Sequence, residues 1–286
     1  MTVPPGWGLA LERAAGRRLT MLVGGVDTGK TTLATFLANG LRQRGFHVGV
    51  VDADLGQSEI GPPTTIGLGL AGRHLDRLAD ADLAGLAFVG STSPRGFVAA
   101  TVAGTRQMAE RAAALGLDRI VVDTSGLIDG PLGHALKTRK IEAVAPDLVI
   151  CLERDGECGA LCDPSRTTLS LPVGDDTRSR SAAERRRHRE AALEAYFRRA
   201  MPRRLAISDL TLRSMADGAA APRLDLGLEG ALVGLDDDAG HTLGLGIVRA
   251  ADDGGLLIDT PVYDVDIAGV RLGGESSAHR LDEVTR

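Results

Sequence analysis

Short apolar runs rich in β-branched residues alternate with longer stretches in which apolar residues recur every three or four positions. The runs at 19–23, 46–52, 86–90, 119–123 and 148–152 read as strands. Between them, Leu33, Phe36, Leu37 and Leu41 fall on one face of a helix starting near Lys30, and 98–115 and 134–144 read as helices too. This alternation predicts an α/β fold, a mostly parallel sheet with helices on both faces. In such a sheet ligands lie beyond the carboxyl ends of the strands, and each run ends in a polar or glycine-rich turn. After about Pro202 the pattern changes to short apolar runs punctuated by Gly and Asp, at 230–234, 242–249, 255–260 and 262–267. A main domain over 1–201 and a small β-rich domain over 202–286 are therefore expected, the last residues, 273–286, being polar and frayed.

The first turn carries the most specific chemistry. Gly24-Gly25-Val26-Asp27-Thr28-Gly29-Lys30-Thr31, followed by Thr32, is a complete GxxxxGK[ST] phosphate loop between a strand and a helix. Its glycines let successive N–H groups point inward around phosphates. Lys30 is placed to reach the β and γ phosphates and Thr31 to ligate magnesium, while the helix N-terminus adds positive potential. The chain is thereby read as a P-loop NTPase that binds a nucleoside triphosphate.

The other strand ends supply partners for that loop. Asp52 and Asp54, at i and i+2 on an extended segment, point to one side, so both carboxylates are expected to face the nucleotide magnesium. One would order a metal-bound water while the other accepts a proton from an attacking hydroxyl; the plainer alternative is that they cap the next turn. Asp123-Thr124-Ser125-Gly126 resembles a Walker-B strand end, with a carboxylate for magnesium and a glycine near a γ-phosphate. Ser91, Thr92 and Ser93 form a hydroxyl-rich turn suited either to an acceptor's phosphate oxygens or to a serine-proline turn. No Asn-Lys-x-Asp or Thr-Lys-x-Asp guanine signature occurs, which favours ATP.

Composition narrows the class. With 286 residues, 43% hydrophobic and 25% charged, the chain can bury a full core. No apolar stretch approaches the roughly 20 residues of a membrane span, and the first eight residues lack the basic-then-apolar order of a secretory signal, so a cytoplasmic protein is expected. Cys151, Cys158 and Cys162 fit neither a disulfide scaffold nor a usual zinc spacing. A formal net charge of -5 argues against a general polyanion binder. The cations are almost all arginine, lysine occurring only at 30, 137 and 140. Arg178, Arg180, Arg185, Arg186, Arg187, Arg189, Arg198 and Arg199 outnumber Glu184, Glu190 and Glu194 among them. This segment, about 175–200, reads as a lid closing on phosphates, against the default of a solvated helix face.

Taken together, the phosphate loop, Asp52-Ala53-Asp54-Leu55-Gly56-Gln57-Ser58-Glu59, Phe88-Val89-Gly90-Ser91-Thr92-Ser93-Pro94, Asp123-Thr124-Ser125-Gly126 and Arg178-Ser179-Arg180-Ser181 resemble the Clp/Grc-type polynucleotide 5′-hydroxyl kinases. That family includes RNA kinases of eukaryotic pre-mRNA and ribosomal RNA processing and archaeal relatives. The resemblance runs from about residue 18 to 200, and Asp27 and the Asp-x-Asp-x-Gly-Gln sequence are its most specific parts. It implies Lys30 and Thr31 as phosphate and magnesium ligands, Asp54 as the carboxylate activating the 5′-hydroxyl, and Gln57 beside it at the metal or γ-phosphate. It also implies Thr92 and Ser93 as a clasp for the acceptor end, Arg180 as the lid arginine, and Arg185, Arg186 or Arg189 as a second. Two departures bear on the acceptor: Leu127 stands where eukaryotic members tend to carry Trp, and Phe97, a base-stacking or a core residue, where they often carry Asn. By the same resemblance, the short N-terminal stretch is expected to lack the additional domain of eukaryotic members, as in simpler prokaryotic forms.

The expectation is an ATP- and Mg2+-dependent kinase acting on the 5′-hydroxyl of RNA or DNA. A switch-type ATPase or GTPase with a protein partner, or a kinase of small nucleosides or metabolites, would share the same phosphate loop.

Overall fold

The computed structural model describes residues 3–161, 167–174, 180–206, 208, 210–216, 227–252 and 254–273. Arg178, Ser179, Cys162 and the tail at 274–286 lie outside them.

Five parallel strands form the centre, in the order β7 (Thr168–Pro172), β6 (Leu148–Glu153), β1 (Leu19–Gly24), β5 (Arg119–Thr124) and β2 (Val48–Ala53). They are apolar almost throughout because both faces are covered. Alternate residues of one strand serve different layers. Leu22, Val50, Val121 and Ile150 pack with Leu33, Leu37 and Leu41 of α2 (Lys30–Gln43) and with Trp7 and Ala10 of α1 (Trp7–Ala15). Met21, Val51, Val122 and Cys151 pack on the other face with Met108 and Ala112 of α3 (Val98–Ala114) and Ile141 of α4 (Gly130–Val144). The expected mostly parallel α/β sheet is thus present.

Several elements differ from the periodic pattern. The segment after Asp54 returns as β3 (Thr65–Leu70), antiparallel to β2, and the expected run at 86–90 is the end of β4 (Asp82–Phe88), antiparallel to β3. The Gly-rich alternation of β3 lacks the β-branched residues that mark the other strands. The periodic pattern marks neither helix α1 nor strand β7. Helix α4 begins four residues before the expected start, with Asp129 at its N-cap and proline in its first turn.

The carboxyl-terminal strands extend this sheet. They are β8 (Met201–Ala206), β9 (Thr211–Ser214), β10 (Leu232–Asp236), β11 (Thr242–Asp252), β12 (Gly255–Thr260) and β13 (Gly269–Leu272). β11 joins β4 at Thr242 opposite Leu86, where the Thr242 hydroxyl accepts from the Phe88 amide at 3.0 Å. The expected run at 262–267 is not a strand: Asp264 adopts φ 53, which breaks an extended course, and the pairing segment follows it as β13. Among the described residues, no helix is long and apolar enough to cross a membrane.

The arginine-rich stretch forms α5 (Ala182–Phe197), started by a capping box between Ser181 and Glu184. Its far end is fixed in the sheet extension. Leu193 is buried with Phe88, Leu232 and Leu245, and the Tyr196 hydroxyl accepts from the Leu245 amide at 2.8 Å. Removing that acceptor leaves a buried N–H unpaired. Tyr196→Phe is expected to lower unfolding free energy by about 1–2 kcal/mol in urea titration; an unchanged midpoint would show that α5 is held by packing alone.

Candidate active site

The carboxyl ends of β1, β2 and β5 open into one cleft of about 1850 Å³. Its lining includes residues 26–32 of the phosphate loop, Asp54 and Gln57, Thr92 and Ser93, residues 124–127, and Arg180, Arg185, His188 and Arg189. Gly24 and Gly25 lie behind that lining. At Gly24, with φ 156, a Cβ would stand 2.3 Å from the Leu152 carbonyl oxygen. At Gly126 a Cβ would stand 2.5 Å from Val26 Cα, so the Asp123-to-Gly126 turn carries glycine where the phosphate loop rests on it.

Inside the loop, Asp27 takes a left-handed φ of 54 and Gly29, at φ 90, caps α2. Lys30 is buried, and its Nζ donates to the Gly25 carbonyl at 2.5 Å and the Thr28 hydroxyl at 3.2 Å. Burial lowers its pKa, while Asp123, Asp54 and Asp27 pull it back up.

The two strand-end carboxylates at i and i+2 divide their work. Asp52 is buried and does not face the cleft: its Oδ2 accepts from the amides of Glu59 at 2.6 Å and Ile60 at 3.0 Å, and its Oδ1 from Asp54 N at 3.1 Å. The expectation that both aspartates face a metal is corrected here, because loop amides saturate Asp52. Asp54 does line the cleft, with Oδ1 accepting from Gly56 and Gln57 amides, each at 3.0 Å. Gln57 donates to the Gly56 carbonyl at 2.5 Å and the Arg185 carbonyl at 3.4 Å, so it bridges to α5.

Asp123 accepts from the Thr31 hydroxyl at 2.6 Å, while its other oxygen, Oδ1, is buried with no hydrogen-bond partner. A hydroxyl and an unsatisfied carboxylate oxygen side by side are the donor set a hard divalent cation prefers. Burial pushes Asp123 up to about 6 and Asp52, which faces it across the β2–β5 ladder, up to about 8.

The lid meets the phosphate loop through Asp27. Its Oδ2 accepts from the Arg185 guanidinium at 2.7 Å and from the Arg180 amide at 3.2 Å. Glu59 faces the Arg180 guanidinium at 4.0 Å and His188 at 3.9 Å. Arg189 lines the cleft, but Arg186 does not; it pairs with Glu190 one helical turn on, 2.6 Å away and largely exposed. The resemblance offers both arginines to the lid, whereas the helix face selects only one. The Thr92–Ser93 turn touches the same rim, with Ser93 N donating to the Ser91 hydroxyl at 3.1 Å, while Thr92 O would lie 2.9 Å from a Cβ at Gly56. Phe97 is buried in the core beside α3 rather than offered to the cleft; Leu127 is on the cleft wall. Cys151 and Cys158 are both buried and in no disulfide, and no group of three or more His, Cys, Asp or Glu placed to hold a metal by themselves occurs among the described residues. Sequence reasoning missed Lys137 and Lys140, both fully buried behind the strand ends, and His188. The available signal was composition: all three lysines of an arginine-rich chain converge here.

Residues 24–199 match the family described as the mRNA cleavage and polyadenylation factor CLP1 P-loop. The chain is 41% identical over 178 residues to a polyribonucleotide 5′-hydroxyl-kinase of Pyrococcus horikoshii, covering 62% of this chain and 49% of that protein. It is 38% identical over 195 residues to one of Methanocaldococcus jannaschii, covering 67% and 54%. The chain thus spans about half the length of these curated relatives. Its fold superposes on Clp1p in the wild-type Clp1p–Pcf11p complex with a TM-score of 0.71 at 14% identity, over 93% of this chain and 77% of that one.

Two outcomes follow from this geometry. Asp27→Asn keeps a residue tolerant of a left-handed backbone but removes the charge that holds Arg185. Amide exchange in α5 is expected to speed up about fivefold, equivalent to ~1 kcal/mol; unchanged protection would mean that the lid is held elsewhere. The raised carboxyl of Asp123 keeps its proton in the folded state over a range where the unfolded one, at 3.8, has lost it. The stability advantage of wild type over Asp123→Asn should therefore shrink as pH rises from 3.8 through about 6 and on towards about 8, where Asp52, whose carboxyl the Asp123 charge helps to raise, loses its proton, measured by urea titration of nucleotide-free protein.

Proposed function

The chain belongs to the CLP1 P-loop family, and on that premise we propose that it transfers the γ-phosphate of ATP to the 5′-hydroxyl of an RNA end, with magnesium. The observation that carries this reading is the shared cleft: a phosphate loop, the one strand-end carboxylate left accessible, a hydroxyl-bearing turn and a lid of arginines all line it. The names of the archaeal relatives supply the polyribonucleotide acceptor.

In this reading the loop amides and the helix end of α2 bind the phosphates. Lys30 exchanges the Gly25 carbonyl for the β and γ phosphate oxygens. Thr31, Asp123 and Asp54 are the residues that would hold magnesium, the unsatisfied Asp123 oxygen being the strongest support. Bound there, the ion would supply charge neutralisation on the nucleotide phosphates. Asp54 orients the acceptor hydroxyl and takes its proton, and its oxygen is kept in place by the Gly56 and Gln57 amides. Arg180 and Arg185 offset charge that grows on the transferred group, with Arg189 and the Thr92–Ser93 turn directed to the acceptor end. We take residues 202–286 as a distinct β-rich unit built on the apolar cluster around Val233, Leu235, Val248 and Ile258. A cytoplasmic location belongs to the same reading.

The decisive assay follows label from γ-labelled ATP into matched 5′-hydroxyl RNA, 5′-hydroxyl DNA and 5′-phosphorylated controls. Label is expected on the 5′-hydroxyl RNA and none on the 5′-phosphorylated controls, and Lys30→Ala should abolish it with the fold retained. Asp54→Asn should lower kcat about a hundredfold or more, with ATP affinity changed only a few fold. Label found only as free phosphate would overturn the kinase in favour of a switch-type NTPase.

A further inference from the structure

We propose that Lys137 and Lys140 are positioning residues of the transfer site, two buried ammonium groups that grip the last paired rung of β2 and β5 and so set where Asp54 and the Thr124–Ser125 turn stand. The inference rests on the kinase reading for what is positioned, and on geometry for the grip itself.

The two lysines lie three residues apart on one face of α4, and both side chains are fully buried. Lys137 Nζ donates to the Thr124 hydroxyl at 2.9 Å, the Ser125 carbonyl at 2.5 Å and the Ser125 hydroxyl at 3.4 Å. Thr124 in turn donates to the Leu22 carbonyl at 2.8 Å, just before the phosphate loop. Lys140 Nζ donates to the Ala53 carbonyl at 3.0 Å, on the peptide that leads into Asp54. Ala53 and Thr124 are register partners across β2 and β5. One helix therefore clamps both sides of the final rung, and through Leu22 the strand that feeds the phosphate loop.

Stability alone does not account for them. Burying an ammonium costs several kcal/mol even when paired, and well-packed apolar residues in such places are often neutral or stabilising. The same helix already fills the core with Leu136 and Ile141. Of 33 Lys and Arg residues only three are lysine, and all three are buried here. A compact ammonium with three rotatable donors serves converging oxygens from one point, which a planar guanidinium does not. Asp52 and Asp123, both buried, and Asp54 at the cleft edge act on them electrostatically, so the three lysines and three aspartates form one cluster. Burial pushes Lys140 down to about 8 and Lys137 well below its ordinary value, with the aspartates opposing.

Because the chain has only three lysines, isotope-labelled lysine gives one side-chain NMR signal for each, assigned with Lys137→Met and Lys140→Met. Magnesium with a non-hydrolysable ATP analogue is expected to shift all three; movement of Lys30 alone would overturn the proposal. In the transfer assay each Met variant should lose about tenfold or more in kcat, while the dissociation constant of the nucleotide stays within about threefold. Equal loss of both, or a loss matched by the unfolded fraction in a melting curve, would reduce the pair to structural support. Should wild type label no oligonucleotide, the kinase reading fails, while the spectra on wild type still decide whether these lysines answer to the phosphate site.

Discussion

Asp52 and Asp123 stand opposite each other on adjacent parallel strands, both buried, and the rest of the site is arranged around making that pair tolerable. Two like charges on one rung of a ladder cannot both be left bare in a low-dielectric interior. Asp52 is satisfied by folding the chain back on itself, so that the amides of Glu59 and Ile60 reach one oxygen. That fold-back sets the loop carrying Asp54 and Gln57 at the cleft edge. Asp123 is satisfied on one side by Thr31, which ties β5 to the start of α2, and is left open on the other. The lysines of α4 complete the balance from behind. The Asp54 loop, the tie from β5 to the start of α2 and the lysines of α4 thus meet at one electrostatic constraint at the carboxyl edge of the sheet.

The lid follows a different logic. Its helix is polar along most of its length, with only Leu193 buried, so it has little apolar surface with which to hold itself in place. It is anchored at one end by Tyr196 and its packing on the sheet extension, and at the other by charge, chiefly Asp27 with Arg185. An apolar root and an ionic tip suit an element that must yield to a more highly charged partner. In the proposed reaction the phosphates are that partner, and the arginine that Asp27 holds is the one they would draw.

Glu59 shows how closely these parts are joined. Its amide serves Asp52, while its carboxylate faces Arg180 and His188 of the lid. The loop that carries the proposed acceptor-activating carboxylate therefore also touches the lid. A displacement of either reaches the other through Glu59 and through Gln57, whose side-chain amide donates to the Arg185 carbonyl.

The amino-acid sequence by itself determined the α/β class, the phosphate loop and the order of the strand-end motifs. These rest on local requirements: two-sided burial writes continuous apolar strands, and a tight anion-binding turn demands glycine at fixed offsets. Local spacing also put Asp54 beside that loop. Tertiary structure alone decided that Asp52 turns to backbone amides, that Arg189 and not Arg186 meets the cleft, that Phe97 is core, and that Asp27 grips the lid. It also decided that the three lysines share one buried site. The reason is range: each of these outcomes depends on distances between residues far apart in the chain, or on which face of an element looks inward. Periodicity fixes what kind of face an element has, and only the packing of the elements fixes what that face meets.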